Sequence, residues 1–359
     1  MKVFRWNCSV RWRALIRSWC AALIASWSCV SISACPDASD CGPKSESSDI
    51  VQQADFWHAQ LSKPFDSRFG SAPPELVAYL TRDNVQHGFP ERPTAAAIPP
   101  DFRRDLNAAI AEMPPFIKRA LKDRLAGVYF VNGLGSSGFT DRIVDRSGRP
   151  AGAWIVLDLG VLSARSANAW ATWKENTPFT PDSANMLTAK IESPANDNRK
   201  NAIQYILLHE MGHALSVGRD ITPGWWLPPS KPDPGQFSFF SVSWHYEDKR
   251  YVPRLEEEFP LRPQVVYYLR PKLRADQMAP VYAELGKTNF PTLYAATNPF
   301  DDFAESFASY VHTVLMHRPF EIRISTRGKD VEMFRICWSE SRCAIKRQQL
   351  EKVLASVKS

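Results

Sequence analysis

The stretch ILLHEMGHALSVG, residues 206–218, decides how the rest of the chain is read. Residues four apart on an α-helix differ by about 40° around its axis, so His209 and His213 point at one place while Glu210 flanks them. That is the spacing of a metal clamp with a base beside it. Ile203, Ile206, Leu207, Ala214 and Leu215 give the segment an apolar stripe for burial. Gly212 and Gly218 leave room where another backbone or a substrate approaches.

Two histidines do not complete a catalytic zinc site, which takes three protein ligands and keeps a fourth position open. The third ligand is expected in NPFDDFAESFASYV, residues 298–311, where Pro299 opens a helix and Asp301, Glu305 and Ser309 recur at intervals of four on one face. Acids are favoured in a first helical turn by the macrodipole, which accounts for Asp301 and Asp302 but poorly for Glu305. Carboxylates on a Phe-rich and Ala-rich helix are costly to bury unless they bind something.

HEMGH followed by a helix of the form acid, x, Phe, Ala, Glu resembles the HExxH zinc metallopeptidases of gluzincin-like type, especially the relatives of anthrax lethal factor and the MtfA-type peptidases. The resemblance covers roughly residues 115 to 320. It implies a zincin-like α+β fold: a small mixed or antiparallel sheet beside the HEMGH helix and a mostly helical second lobe. It also implies Zn2+ as cofactor and peptide-bond hydrolysis as the activity. In that family the second helix carries Glu-Phe-Phe-Ala, whose first Glu is the third ligand, and the matching position here is Asp301. Glu305 matches an acid that supports a ligand histidine in thermolysin-like members. Tyr294 matches a tyrosine two helical turns ahead of the third ligand, which stabilises the transition state. The departure is that Asp301 stands where the pattern has Glu, one methylene longer. Asp301 reaches the ion only if the two helices lie close; otherwise Glu305 is the ligand and Asp301 supports it.

On this reading the ion polarises the scissile carbonyl and acidifies a water, from which Glu210 takes the proton and delivers it to the leaving amine. Tyr294 donates to the oxyanion, and the strand Ala153 to Leu159 is the expected edge for an extended protein or peptide substrate. The competing class is a cell-envelope binding or scaffold protein whose structural zinc is closed by four protein ligands, with His245 or Glu305 completing the set. His58, His87, His245, His312 and His317 have no partner at ligand spacing. Glu256, Glu257 and Glu258 read as a solvated run, since consecutive side chains diverge.

Residues 1–34 hold Lys2, Arg5, Arg11, Arg13 and Arg17, no acid, and an apolar stretch from about Cys20 to Ala34 too short to span a bilayer. This is the pattern of a signal peptide and predicts export to a periplasmic, envelope-anchored or secreted location. Ile32, Ser33, Ala34 and Cys35 also resemble a bacterial lipobox, which would attach the protein to a membrane through a lipidated Cys35. Two equally spaced cysteine pairs, Cys35 with Cys41 and Cys337 with Cys343, read as local disulfides in an exported chain. Lipidation would instead strand Cys41. The formal charge of +6 shrinks without the presequence, leaving 39 basic against 38 acidic groups. With no basic stripe, nucleic acid is not an expected partner.

The polar residues 35–48 read as a flexible leader, and 49–115 as a proline-punctuated helical region with helices at 50–61, 74–81 and 101–113. Residues 116–320 form the expected zincin-like domain, and 321–359 a C-terminal extension carrying the disulfide. Strands are expected at 127–131 and 153–159, joined by NGLGSSG, a glycine-rich turn that lacks the lysine and following helix of a phosphate cradle. Residues 222–260 form an insert whose Trp225 and Trp226 either line a cleft or roof the core.

Overall fold

The computed structural model describes residues 49–358, so the expected signal peptide, leader and Cys35–Cys41 pair lie outside the described residues. The chain is mixed α+β. Its main sheet contains β1 (Phe69–Ser71), β2 (Thr94–Ala95), β3 (Leu125–Asn132), β4 (Gly138–Val144) and β5 (Pro150–Asp158). The order is β1-β3-β5-β4, with β2 pairing β3 beyond the end of β1. β1, β3 and β5 run parallel, whereas β2 is antiparallel to β3 and β4 to β5.

Burial on both faces explains why LAGVYFVN and AWIVLD are near-continuous apolar runs. It also overturns one expectation. The strand at 153–159 is not an edge: β5 is enclosed by β3 and β4, and the outer strand is β4, whose GFTDRIV is more polar. The strength of an apolar run signals a central strand, so it pointed to the wrong member of the pair. Along the outer side of β4, the pairing recorded is a single bridge from Gln53 to Val144 at its far end.

One face of the sheet packs on Val51, Trp57, Leu76 and Leu80 from the N-terminal region. The indoles of Trp57 and Trp154 both donate to the Val51 carbonyl, at 2.7 Å each. The region 49–115 is therefore not purely helical, since it also supplies β1 and β2, strands too short to leave a period in the sequence. The opposite face carries the motif helix Arg199–Ser216, capped by Asn198, which accepts from Asn201 N at 3.1 Å. Every residue of this helix from Asn201 to Ser216 is buried, and the chain leaves it through Gly218 at φ +64, where a side chain would be strained.

A second sheet joins β6 (Asn185–Lys190) to β9 (Glu321–Thr326) and β10 (Lys329–Arg335), while β7 (Trp244–Glu247) and β8 (Arg250–Pro253) form a hairpin. Because β6 and β9 pair along their whole length, the expected boundary at 320/321 falls inside a sheet. Cys337 and Cys343 are bonded, with Cα atoms 5.7 Å apart, and lead into the helix Ala344–Lys358. Among the described residues no helix is long and apolar enough to cross a membrane.

Candidate metal centre

The second motif helix, Pro299–Tyr310, has proline at its first position and is buried at all twelve residues. The Asn298 side chain caps it, accepting from Phe300 N at 3.0 Å and Asp301 N at 2.9 Å. It crosses the motif helix at Gly212, where an added Cβ would lie 2.9 Å from Ala304 Cα. Only glycine permits that approach, and the approach is what a short aspartate needs.

His209 Nε2 and His213 Nε2 face each other 3.1 Å apart. Asp301 Oδ1 lies 3.3 Å from the second and 3.7 Å from the first. An ion held tetrahedrally at about 2.0–2.1 Å from each ligand separates the ligand atoms by about 3.3 Å. The three side chains therefore fit a zinc-sized ion, and they are the group among the described residues whose ligand atoms converge in this way. Asn298 Nδ2 donates to the other carboxylate oxygen, Asp301 Oδ2, at 2.6 Å and so turns Oδ1 toward the histidines.

Glu305 occupies a different position from Asp301. Its Oε1 sits 2.8 Å from His209 Nδ1, the ring nitrogen turned away from the cluster. This ionic contact lies behind the ring while Nε2 faces the cluster, the placement of carboxylates behind metal-ligating histidines. Lys174 Nζ donates to the same Oε1 at 2.9 Å, and Thr292 Oγ1 donates to Oε2 at 2.8 Å. Burial alone would raise the Glu305 carboxyl, but the Lys174 ammonium and His209 outweigh it and hold it below the usual carboxylate range. Burial likewise opposes the charge on Lys174, and Glu305 with Glu175 more than restores it. Glu175 is in turn held by the hydroxyls of Tyr267 at 2.7 Å and Tyr282 at 2.6 Å.

Glu210 lies under the start of β4. Its Oε2 accepts from Thr140 Oγ1 at 2.7 Å, while Oε1 is buried without a hydrogen-bond partner. A Cβ on Gly138 would stand 2.6 Å from that free oxygen, so the glycine keeps space above the carboxylate. Tyr294 packs with its ring 5.7 Å from that of His209, and its buried hydroxyl has no hydrogen-bond partner. Burial, then Asp301, push this phenol well above its ordinary pKa, so it remains a neutral donor. Trp225 meets the His213 ring edge-on at 5.8 Å, which places this part of the 222–260 insert at the site as well as over the core.

A comparison with family models, with curated proteins and with solved structures finds no match.

Of the residues expected from sequence, His209, His213 and Asp301 converge, and Glu210, Tyr294 and Glu305 surround them. His245 does not join them: it stands half-exposed on β7, 3.9 Å from Glu247. His312 bonds the Ile191 carbonyl at 2.7 Å, away from the cluster. Glu257 is half-buried and accepts from Asn289 N at 2.6 Å, while Glu258 pairs with Arg262, so the acidic run diverges as expected but is not wholly solvated. Sequence reasoning missed Thr140, Lys174, Glu175, Thr292 and Asn298. The adjacent Lys174 and Glu175 in AWATWKEN, a segment otherwise largely apolar, were the one available signal.

Proposed function

We propose that this protein is a zinc-dependent metallopeptidase with a zincin-like fold. The observation that carries the reading is the convergence of three ligand atoms at tetrahedral separations beside a carboxylate with one unengaged oxygen, beneath an outer strand. His209, His213 and Asp301 would hold the ion. When bound, zinc would supply Lewis-acid polarisation of a scissile carbonyl and lower the pKa of a water. Glu210 would take a proton from the nucleophile and pass it to the leaving amine, a role supported by its buried Oε1, which has no hydrogen-bond partner. Thr140 keeps the other oxygen in place. The Tyr294 hydroxyl, neutral and unpaired, is the donor available to a developing oxyanion. The outer side of β4 offers unpaired strand to an extended peptide, with the Gly138 end above Glu210. The bonded Cys337–Cys343 pair and the basic, apolar presequence support an exported location.

The test is Glu210→Gln, assayed together with zinc content. Zinc should be retained while cleavage falls by roughly 10²- to 10⁴-fold. Full activity in the zinc-loaded variant would overturn the mechanism. One observation favours the scaffold reading instead: His209 is 1 % exposed and Asp301 4 %. Cobalt substitution separates the two, since an exchangeable coordination position belongs to an enzyme and four protein ligands to a structural site.

A further inference from the structure

A cavity of about 620 Å³ opens beside the turn that leads into β4. Its walls include Val161, Trp173, Phe179, Tyr268 and Leu269, and its size is that of a ligand pocket. Two parts of its wall lead, through one intervening residue each, to the candidate metal centre. Gly135 and Ser136 line it and stand just before Gly138, which abuts Glu210. The Tyr268 ring lies 6.3 Å from that of Tyr294, which in turn contacts His209. Tyr268 takes a backbone conformation with φ +63, unusual for an aromatic residue.

The polar side chains in the wall are mostly engaged. Asp158 accepts from Leu134 N and Val161 N, Asn176 donates to two carbonyls, and Thr177 donates to the Lys174 carbonyl. Glu91 is the exception. Its Oε2 is buried without a hydrogen-bond partner, although the residue lines the cavity. The backbone around it is fixed, because Asn84 Nδ2 donates both to the Glu91 carbonyl at 3.0 Å and to the Leu134 carbonyl at 3.3 Å. Gly135, at φ +89, leaves space for the carboxylate, since a Cβ there would lie 3.0 Å from Glu91 Oε2. Arg165 is engaged with the wall itself, lying over the Trp173 ring and donating to the Val161 carbonyl.

An aromatic and aliphatic cavity whose wall holds a carboxylate with one oxygen lacking a hydrogen-bond partner is complementary to a long apolar stem that ends in a positive charge. We propose that this cavity is a specificity subsite for an arginine or lysine side chain of the peptide lying along β4, and that Glu91 selects it. The stem packs on the apolar walls, and the cation meets the carboxylate and the face of Tyr268. The proposal rests on the peptidase reading of the metal centre, with the cavity taking a residue on one fixed side of the scissile bond.

Two measurements test it separately from that reading. In the first, a peptide library is digested by the zinc-loaded protein and its Glu91→Gln variant, and the cut sites are mapped by mass spectrometry. Basic residues should be enriched at one subsite, and the isosteric variant, which breaks no internal bond, should reduce that enrichment on the order of tenfold. Cleavage with no basic preference, or with a preference unaltered in Glu91→Gln, overturns the proposal while leaving the peptidase reading intact. In the second, the zinc-loaded Glu210→Gln protein is titrated with a lysine-containing peptide and with its norleucine analogue. The lysine peptide should bind about tenfold more tightly, and Glu91→Gln added to this background should erase the difference. Equal binding of the two peptides refutes the subsite. A lysine preference without cleavage by the unmutated protein refutes the peptidase and keeps the subsite.

Discussion

Two carboxylates on one buried helix, Glu305 and Asp302, each meet an enclosed lysine. The Glu305–Lys174 pair stands behind His209 of the candidate centre, whereas Asp302 meets Lys346 from the helix Ala344–Lys358 at 2.7 Å. Their surroundings differ. Glu305 is embedded in a run of donors and acceptors that extends through Lys174 and Glu175 to two tyrosines, and both members of its pair keep their charge. Asp302 has Lys346, the Trp244 indole at 2.9 Å and the Ser306 hydroxyl, and burial shifts both members of this pair toward neutrality. A buried pair wired into a larger network can set the state of a functional side chain. An isolated pair ties two elements together.

That difference can be broken most forcefully at Lys174. Lys174→Met leaves Glu305 and Glu175 without their cation, so stability should fall by about 3–5 kcal/mol and zinc affinity by roughly 10- to 100-fold. Denaturant unfolding of the metal-free protein and competition with a chelator read the two effects apart. Lys346→Met should cost about 3–5 kcal/mol as well, yet leave zinc affinity of the folded protein within about threefold. An equal loss of zinc affinity in both variants would erase the distinction. Replacing both partners, Asp302→Leu with Lys346→Met, should recover most of the stability, because the uncompensated charge is gone.

His312, in the π-helical turn that continues the same helix, shows what a buried titratable group does without a countercharge. Burial pushes its imidazole down to about 4, from an ordinary value of 6.5. The unfolded chain therefore takes up a proton that the folded one refuses between these values. Stability is present above pH 6.5 and declines as pH falls toward 4, by roughly 3 kcal/mol from this residue. Unfolding curves across that range should flatten in His312→Leu relative to the parent; an unchanged slope would assign the decline to other groups. The smallest effect is expected at the helix crossing. Gly212→Ala should cost about 1–3 kcal/mol by overpacking against Ala304 and should weaken zinc binding by moving Asp301 away. Adding Asp301→Glu should restore binding if side-chain length is what the crossing distance sets.

Much of the centre was legible because it is local: HEMGH lies within one turn, and Asp301 and Glu305 share a face by spacing alone. Gly212 was marked as a place of close approach, but not what approached it. Lys346 left no signal and Lys174 only its place beside Glu175 in an apolar segment, since the carboxylates that they meet on the second motif helix lie more than forty residues away in the chain. The outer strand was misassigned for the same kind of reason. Apolarity reports how many faces of a strand are covered, whereas being outermost depends on the order of strands that are distant in sequence.

The burial of Lys346 beneath the second motif helix also constrains when the centre can form. Until Ala344–Lys358 has emerged and docked, Asp302 lacks the ammonium that it meets in the folded chain, and the β6–β9 pairing likewise joins segments more than a hundred residues apart. Contacts of such long sequence separation form slowly. On the proposed reading, the centre would be completed late in folding, and a nascent chain halted before Ala344 would carry the whole HEMGH motif with Asp302, the neighbour of Asp301, still lacking its lysine.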